Sequence, residues 1–229
     1  MDGILLIDKP AGITSHKVIA IIRKKLSLKK VGHAGTLDPL ATGLLVVMLG
    51  KATKLSNQLV SQFKTYEVEM SLFLETDTGD ITGKIIKKEN PQTFTEKQIQ
   101  ETIIYFSNFE YWQQPPLYSA IKIKGRKLYQ YARQGFSIEV PPRLVKIKKI
   151  KLLNYSAQEK KIFFSVECSK GTYIRSLVKD LATRLGTIAT VSQLRRISSG
   201  EFQVSQALKL EEVSEKNIII SKNKQVLGF

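Results

Sequence analysis

Apolar positions along this chain fall into unbroken runs, alternations and helical stripes, and each pattern predicts a different element. Gly3-Ile4-Leu5-Leu6-Ile7 is an unbroken run that predicts a short buried strand, and Asp8-Lys9-Pro10-Ala11-Gly12 predicts the turn that ends it. Val18, Ile19, Ile22 and Leu26 form a helical stripe, with Thr14 or Ser15 as its N-cap and Lys24, Lys25, Lys29 and Lys30 on a solvated face. Leu44 to Leu49 predicts a second buried strand, and residues 51–60 a helix with Leu55 and Leu59 on one side. Tyr66 to Leu72 alternates and predicts a strand with one buried face. A polar turn over 76–80 and a short strand at Ile85 and Ile86 follow. Thr95-Glu96-Lys97-Gln98 predicts a capping box opening a helix that turns Ile99, Ile103 and Phe106 inward, and Pro115-Pro116 ends that regime.

Strands return beyond Pro141-Pro142. Ile162, Phe164, Val166 and Cys168 alternate with Phe163, Ser165 and Glu167, and Ser169-Lys170-Gly171-Thr172 breaks that strand. Ile174, Leu177, Val178, Leu181 and Leu185 make a helical stripe closed by Gly186. Residues 191–197 predict a further strand, and 210–229 a terminal helix with a loose end. Strands and helices mix without regular β-α-β alternation, so the predicted class is α+β, in a single domain over 1–229.

Composition narrows the partner. The chain has 229 residues, 42% of them apolar, enough for one substantial core. Its 36 basic residues against 20 acidic ones leave a net charge of +16, which points to a polyanionic partner, either nucleic acid or anionic membrane. No apolar run approaches membrane-spanning length and the N-terminus carries no signal pattern, which favours nucleic acid and a cytoplasmic setting. Cys168 is the one cysteine, so no internal disulfide is expected, and His16, His33 and Cys168 lack zinc-motif spacing. Fingerprints of serine hydrolases, zinc proteases, phosphate loops and dinucleotide folds do not occur. From Tyr111 to Ile138 there is no acidic residue, and Lys122, Lys124, Arg126, Lys127 and Arg133 are interleaved with Tyr118, Tyr129 and Tyr131. Cations with planar rings suit RNA; a basic hairpin whose tyrosines merely pack is the alternative.

Gly32-His33-Ala34-Gly35-Thr36-Leu37-Asp38-Pro39-Leu40-Ala41-Thr42-Gly43 is the least ordinary stretch. Its glycines permit close backbone approaches, and Pro39 pushes Asp38 towards extended geometry. Asp38 therefore sits on a shaped loop leading into the core, either as a turn residue or as a reactive carboxylate. Arg175, beside Gly171-Thr172-Tyr173-Ile174 where a strand gives way to a helix, can pair with a carboxylate and favour its ionised form. An ordinary structural ion pair is the alternative there.

The glycine-rich stretch resembles the catalytic motif of the TruB-type tRNA pseudouridine synthases. Gly3-Ile4-Leu5-Leu6-Ile7-Asp8-Lys9-Pro10 resembles that family's opening strand, and Tyr66 stands where the family has a strand tyrosine. Tyr118-Ser119-Ala120-Ile121-Lys122 and Lys127-Leu128-Tyr129-Gln130-Tyr131-Ala132-Arg133-Gln134-Gly135 resemble its RNA-gripping thumb, here an insertion over about 112–142. Ser169-Lys170-Gly171-Thr172-Tyr173-Ile174-Arg175 and Leu194-Arg195-Arg196 resemble its later core motifs. The resemblance runs in order from about Gly3 to about Gly200.

It implies a pseudouridine synthase fold, with a mixed, mainly antiparallel central sheet flanked by helices and the thumb inserted. It implies isomerisation of uridine-55 in the tRNA T loop, with no cofactor, by a monomer that needs no protein partner and no membrane. Asp38 is the implied nucleophile, attacking sugar C1′ or uracil C6 of a flipped base. Tyr66 is implied to stack on the uracil, Tyr173 to line the pocket, Leu194 to meet the uracil edge, and His33 to aid extrusion of the base or fill its gap. Arg175 is implied to pair with Asp38, Asp80 to contact the RNA, and Lys9 to support the catalytic loop. Lys54 and the thumb cations Lys122, Lys124, Arg126, Lys127 and Arg133 are the expected RNA contacts. About thirty residues follow Gly200, too few for the further C-terminal RNA-binding module (the PUA domain) common in the family, so that domain is expected to be missing. Two other readings share the scaffold: an idle RNA-binding module, and a guide-RNA-dependent synthase. Intact Asp38, Tyr66 and Arg175 favour the enzyme, and the tyrosine-rich 129–133 segment favours the guide-free branch.

Overall fold

The computed structural model describes residues 1–119, 121–123, 125–134, 136 and 138–219. In chain order it contains β1 (Gly3–Lys9), α1 (Ser15–Lys25), β2 (Val31–His33), β3 (Thr42–Leu49), a 3-10 helix (Gly50–Leu55), α2 (Ser56–Ser61), β4 (Lys64–Leu72), β5 (Leu74–Thr76), β6 (Ile85–Lys88), α3 (Glu96–Tyr105), β7 (Phe109–Gln113), β8 (Lys122–Ile123), β9 (Arg126–Lys127), α4 (Leu128–Arg133), β10 (Arg143–Ser156), β11 (Lys161–Cys168), α5 (Ile174–Leu185), β12 (Ala189–Ser199) and β13 (Phe202–Gln203). Internal contacts gather into two compact units, Met1–Tyr66 with the chain from Leu194 onward, and Glu67–Gln193.

In the first unit β1 pairs antiparallel with β3, from Gly3 opposite Leu49 to Lys9 opposite Gly43. The other edge of β3 takes β2 antiparallel and the end of β12 parallel, with Arg196 opposite Gly43. The sheet is thus mixed and mainly antiparallel, as expected. The apolar runs of β1 and β3 are unbroken because both faces are covered. Leu5, Ile7, Leu45, Val47 and Leu49 pack against Val18, Ile19, Ile22 and Leu26 of α1. Ile4, Leu6, Leu44, Val46 and Met48 pack against Ala52, Leu55, Leu59 and Phe202. Each such aliphatic side chain contributes about 1.5–3 kcal/mol on burial.

Three sequence expectations change here. The turn predicted over Asp8–Gly12 starts later, since β1 continues to Lys9, whose ammonium finds carbonyl acceptors inside the fold. The helix predicted over 51–60 divides into a 3-10 segment and the short α2, with Thr53 Oγ1 bonding Gly50 O in competition with the α pattern. The terminal helix is replaced, among the described residues, by 3-10 turns at Leu210–Glu212 and Glu215–Asn217. Glu212 and Asn217 side chains accept from the Lys209 and Ser214 backbone amides, and Ile219 bridges Ile4, so the tail is held locally and along β1.

In the second unit β4, β11, β10 and β7 lie side by side. Ile162, Phe164, Val166 and Cys168 of β11 are buried, as the alternation requires. Met70, Ile99, Ile103, Ile162 and Leu181 meet where α3 and α5 cover the sheet. The Thr95–Gln98 capping box opens α3 and Gly186 closes α5, both as expected. Arg184 of α5 stacks its guanidinium 3.4 Å from the Tyr105 ring centre on α3. The insertion contains the β8–β9 hairpin, with Lys122 opposite Lys127, followed by α4. Leu128 anchors it as a fully buried side chain, and Tyr131 Oη donates to Ile123 O. Among the described residues no helix is long and apolar enough to cross a membrane.

Candidate active site

Asp38, Lys9, His33, Tyr66, Leu194 and Lys54 belong to the first unit, and Asp80, Tyr173, Arg175 and the insertion to the second. In the first unit both neighbours of Asp38 are tied down. Ser15 Oγ accepts from Leu37 N at 2.9 Å and lies 3.1 Å from Leu37 O. Pro39 O accepts from Gly12 N at 2.8 Å and from Lys9 Nζ at 3.4 Å. Ala41 N donates to Asp38 O and tightens the turn. Thr14 takes the N-cap of α1, accepting from Lys17 N, which leaves Ser15 free to face inward.

Two buried cations flank Gly43. Lys9 stands opposite it on β1 and Arg196 opposite it on β12. Lys9 Nζ donates to Pro10 O and Ile13 O at 2.8 Å. Burial pushes its pKa down to about 8, opposed by the charge of Asp38 and reinforced by that of Arg196. Arg196 is 1% exposed; its Nε donates to Leu44 O at 2.6 Å and its Nη2 to Gly35 O at 3.2 Å. One guanidinium thus holds both ends of the loop that carries Asp38. Arg195 points the other way and forms a two-pronged pair with Asp8, at 3.0 and 2.7 Å.

His33 ends β2 with its ring 5.5 Å from that of His16, edge to face. Its Nδ1 is buried without a hydrogen-bond partner. Burial pushes its pKa down to about 4, with the His16 and Arg196 charges acting in the same direction and a Gly35 backbone bond opposing them. Tyr66 is half-buried on β4, Leu194 is buried on β12, and Lys54 is exposed.

In the second unit Arg175 opens α5 and is buried. Its Nη1 donates to Thr78 O at 2.7 Å and its Nη2 to Tyr118 O at 3.0 Å, tying the 76–80 turn to the base of the insertion. Asp80 is buried in that turn, where its Oδ1 accepts from Thr78 Oγ1, Thr82 N and Thr82 Oγ1. That carboxyl oxygen therefore shapes the turn, a role its expected RNA contact did not anticipate. Tyr173 is half-buried immediately before α5. On the insertion Arg126 is exposed. Lys122 and Lys127 pair on the hairpin and Arg133 ends α4, while Lys124 lies outside the described residues.

Sequence reasoning missed Arg196 and Ser15 as site residues. A signal for Arg196 existed: Leu194 and Arg196 are two apart on a strand and share a face, so an inward Leu194 places Arg196 inward as well. Ser15 carried no such signal, because Thr14 and Ser15 are equivalent as cap candidates.

The chain is similar in sequence and in fold to known proteins. Residues 23–174 match the family model of the TruB family pseudouridylate synthase N-terminal domain, and 175–227 that of the tRNA pseudouridylate synthase B C-terminal domain. The chain is 46% identical over 217 residues to tRNA pseudouridine synthase B of Mesoplasma florum, covering 95% of this chain and 75% of that protein. It is 47% identical over 223 residues to tRNA pseudouridine synthase B of Caldicellulosiruptor saccharolyticus, covering 97% and 76%. Among solved structures, a chain of a Cbf5–Nop10–Gar1 complex superimposes with a TM-score of 0.70 at 33% identity, covering 92% of this chain. A chain of an H/ACA RNP bound to a substrate RNA containing 2′-deoxyuridine gives 0.68 at 30%. The chain spans about half the length of those two, 53% and 51%.

Proposed function

Because this chain belongs to the TruB family of pseudouridylate synthases, we propose that it isomerises uridine-55 in the T loop of tRNA to pseudouridine, with Asp38 as nucleophile. The reaction breaks the N1–C1′ bond and forms a C5–C1′ bond to the same sugar. N1 gains a proton and C5 loses one, so atoms and electrons balance without a redox partner or group donor. The target base must leave its stack to reach the carboxylate, which costs a few kcal/mol. The chain acts on the tRNA T arm as a monomer without a partner protein.

The observation that carries this reading is the fixation of Leu37 and Pro39 on either side of Asp38. A nucleophile held on a rigid platform beside a buried ammonium needs little reorganisation when the substrate arrives. Tyr66, Tyr173, Leu194 and His33 are the proposed contacts of the flipped uridine and its gap, with Arg175, Asp80 and Lys9 as supporting residues.

Asp38→Asn tests the assignment. With purified chain and unmodified tRNA, the variant is expected to bind tRNA with near-wild-type affinity and to form no pseudouridine by base-resolution mapping. Undiminished turnover would remove Asp38 as nucleophile. Modification elsewhere with the T loop untouched would remove the substrate assignment.

A further inference from the structure

Gln113 ends β7, is 2% exposed, and uses both ends of its amide. Its Nε2 donates to Tyr111 Oη at 2.8 Å, and its Oε1 accepts from Tyr173 N at 2.8 Å. Tyr111 Oη in turn donates to Asp180 Oδ2 at 2.8 Å. The direction of this chain follows from its members. A carboxylate only accepts, so the phenol hydrogen goes to Asp180 and leaves the phenol oxygen as an acceptor. Gln113 must then present its NH2 to Tyr111, which aims its carbonyl oxygen at the Tyr173 amide. Burial pushes the Tyr111 phenol well above its ordinary range, so it remains a donor across working pH.

The receiving end matters for the site. Tyr173 is the N-cap of α5, and its own side chain makes no capping bond. A second tie lies one position along β7's exit, where Ser176 Oγ donates to Gln114 O at 2.7 Å. The first turn of α5 is thus set by acceptors at the end of β7, and Arg175 lies between the two tied residues.

We propose that Gln113 is a positioning residue, held by Tyr111 and Asp180, that fixes the backbone of Tyr173 and so the placement of its ring against the reacting uracil. The inference rests on Tyr173 lining the uracil pocket, as the proposed function has it. A buried network of merely structural use would lower stability without a selective effect on turnover.

Gln113→Leu removes both arms at similar size. Tyr111→Phe is the gentler variant, since it keeps the ring contacts with Phe106 and Phe109 and deletes only the hydroxyl. Ile103→Val in the α3 core is the control for stability loss alone. Assays run where all variants are folded. For both network variants kcat is expected to fall about ten-fold, with KM for tRNA within about two-fold of wild type. The Tyr173 amide should also lose hydrogen-exchange protection, while Ile103→Val keeps wild-type kcat. Wild-type kcat in both network variants, with Tyr173→Ala impaired, overturns the positioning role and leaves the placement of Tyr173 standing. Retained protection of the Tyr173 amide overturns it as well. Full turnover by Tyr173→Ala overturns both and identifies the placement of Tyr173 as the fault.

Discussion

His33 shows how burial changes what a residue can do in a basic protein. Its folded pKa of about 4 lies below the ordinary 6.5, because burial disfavours the charged ring. Between those values the unfolded chain holds the proton and the folded chain does not. The stability contributed by neutral His33 is therefore complete above 6.5 and is lost as pH falls towards 4. Melting temperatures of the wild type should fall more steeply across that window than those of His33→Gln, and parallel curves would refute the assignment. The same physics explains what the sequence concealed at this scale. Lys9 and Arg196 count towards the surplus of charge, and composition reads such cations as facing solvent or phosphate. Both instead turn inward, because backbone carbonyls of Pro10, Ile13, Gly35 and Leu44 are there to accept from them. The loop around Asp38, by contrast, was legible as a shaped turn, because glycines and a proline before a core strand restrict its backbone, and Leu37 and Pro39 are indeed tied down on either side.

Elements were legible where burial and local bonding agree. β1, β3 and α5 follow from apolar spacing, and α3 from its capping box, since in each the side-chain pattern and the backbone partners favour one state. The 210–219 segment was not, because side chains such as Glu212 and Asn217 bond the backbone three residues back. Gly43 shows why the junction of β3 and β12 tolerates so little change. With φ at +93°, an added Cβ would run into the Arg196 carbonyl oxygen and lie 2.8 Å from its nitrogen. Gly171 has a similar φ of +81° but open space around it. Gly43→Ala should therefore cost both the left-handed penalty of about 1–2 kcal/mol and an overpacking cost of about 1–3 kcal/mol. Gly171→Ala should cost the first alone, about 1–2 kcal/mol. Urea unfolding of the two variants measures the difference, and equal losses would mean that the close approach of β12 to Gly43 is not what the glycine is for.

At the scale of the whole molecule, the net charge of +16 must act through space as well as through contact. Ion pairs such as Lys146–Glu110, Lys148–Glu167, Lys161–Glu69 and Arg195–Asp8 cancel within themselves, so the surplus remains to attract a polyanion. Each phosphate neutralised releases counterions, which makes affinity fall with added salt in proportion to the number of phosphates met. For about six to ten contacts, tRNA affinity should drop by about 10³–10⁵ between roughly 50 and roughly 200 mM salt. Arg126 is exposed on the β8–β9 hairpin, away from any role in the core. If it meets a phosphate, Arg126→Ala should weaken binding uniformly across tRNA sequences and reduce the salt slope by about one. Direct titration of both proteins across the salt series measures this. A flat response in the wild type would mean that the surplus charge serves solubility and not grip. An unchanged slope in Arg126→Ala would remove the hairpin from the contact surface while leaving the overall electrostatic attraction intact, and the grip would then fall to cations elsewhere on the chain.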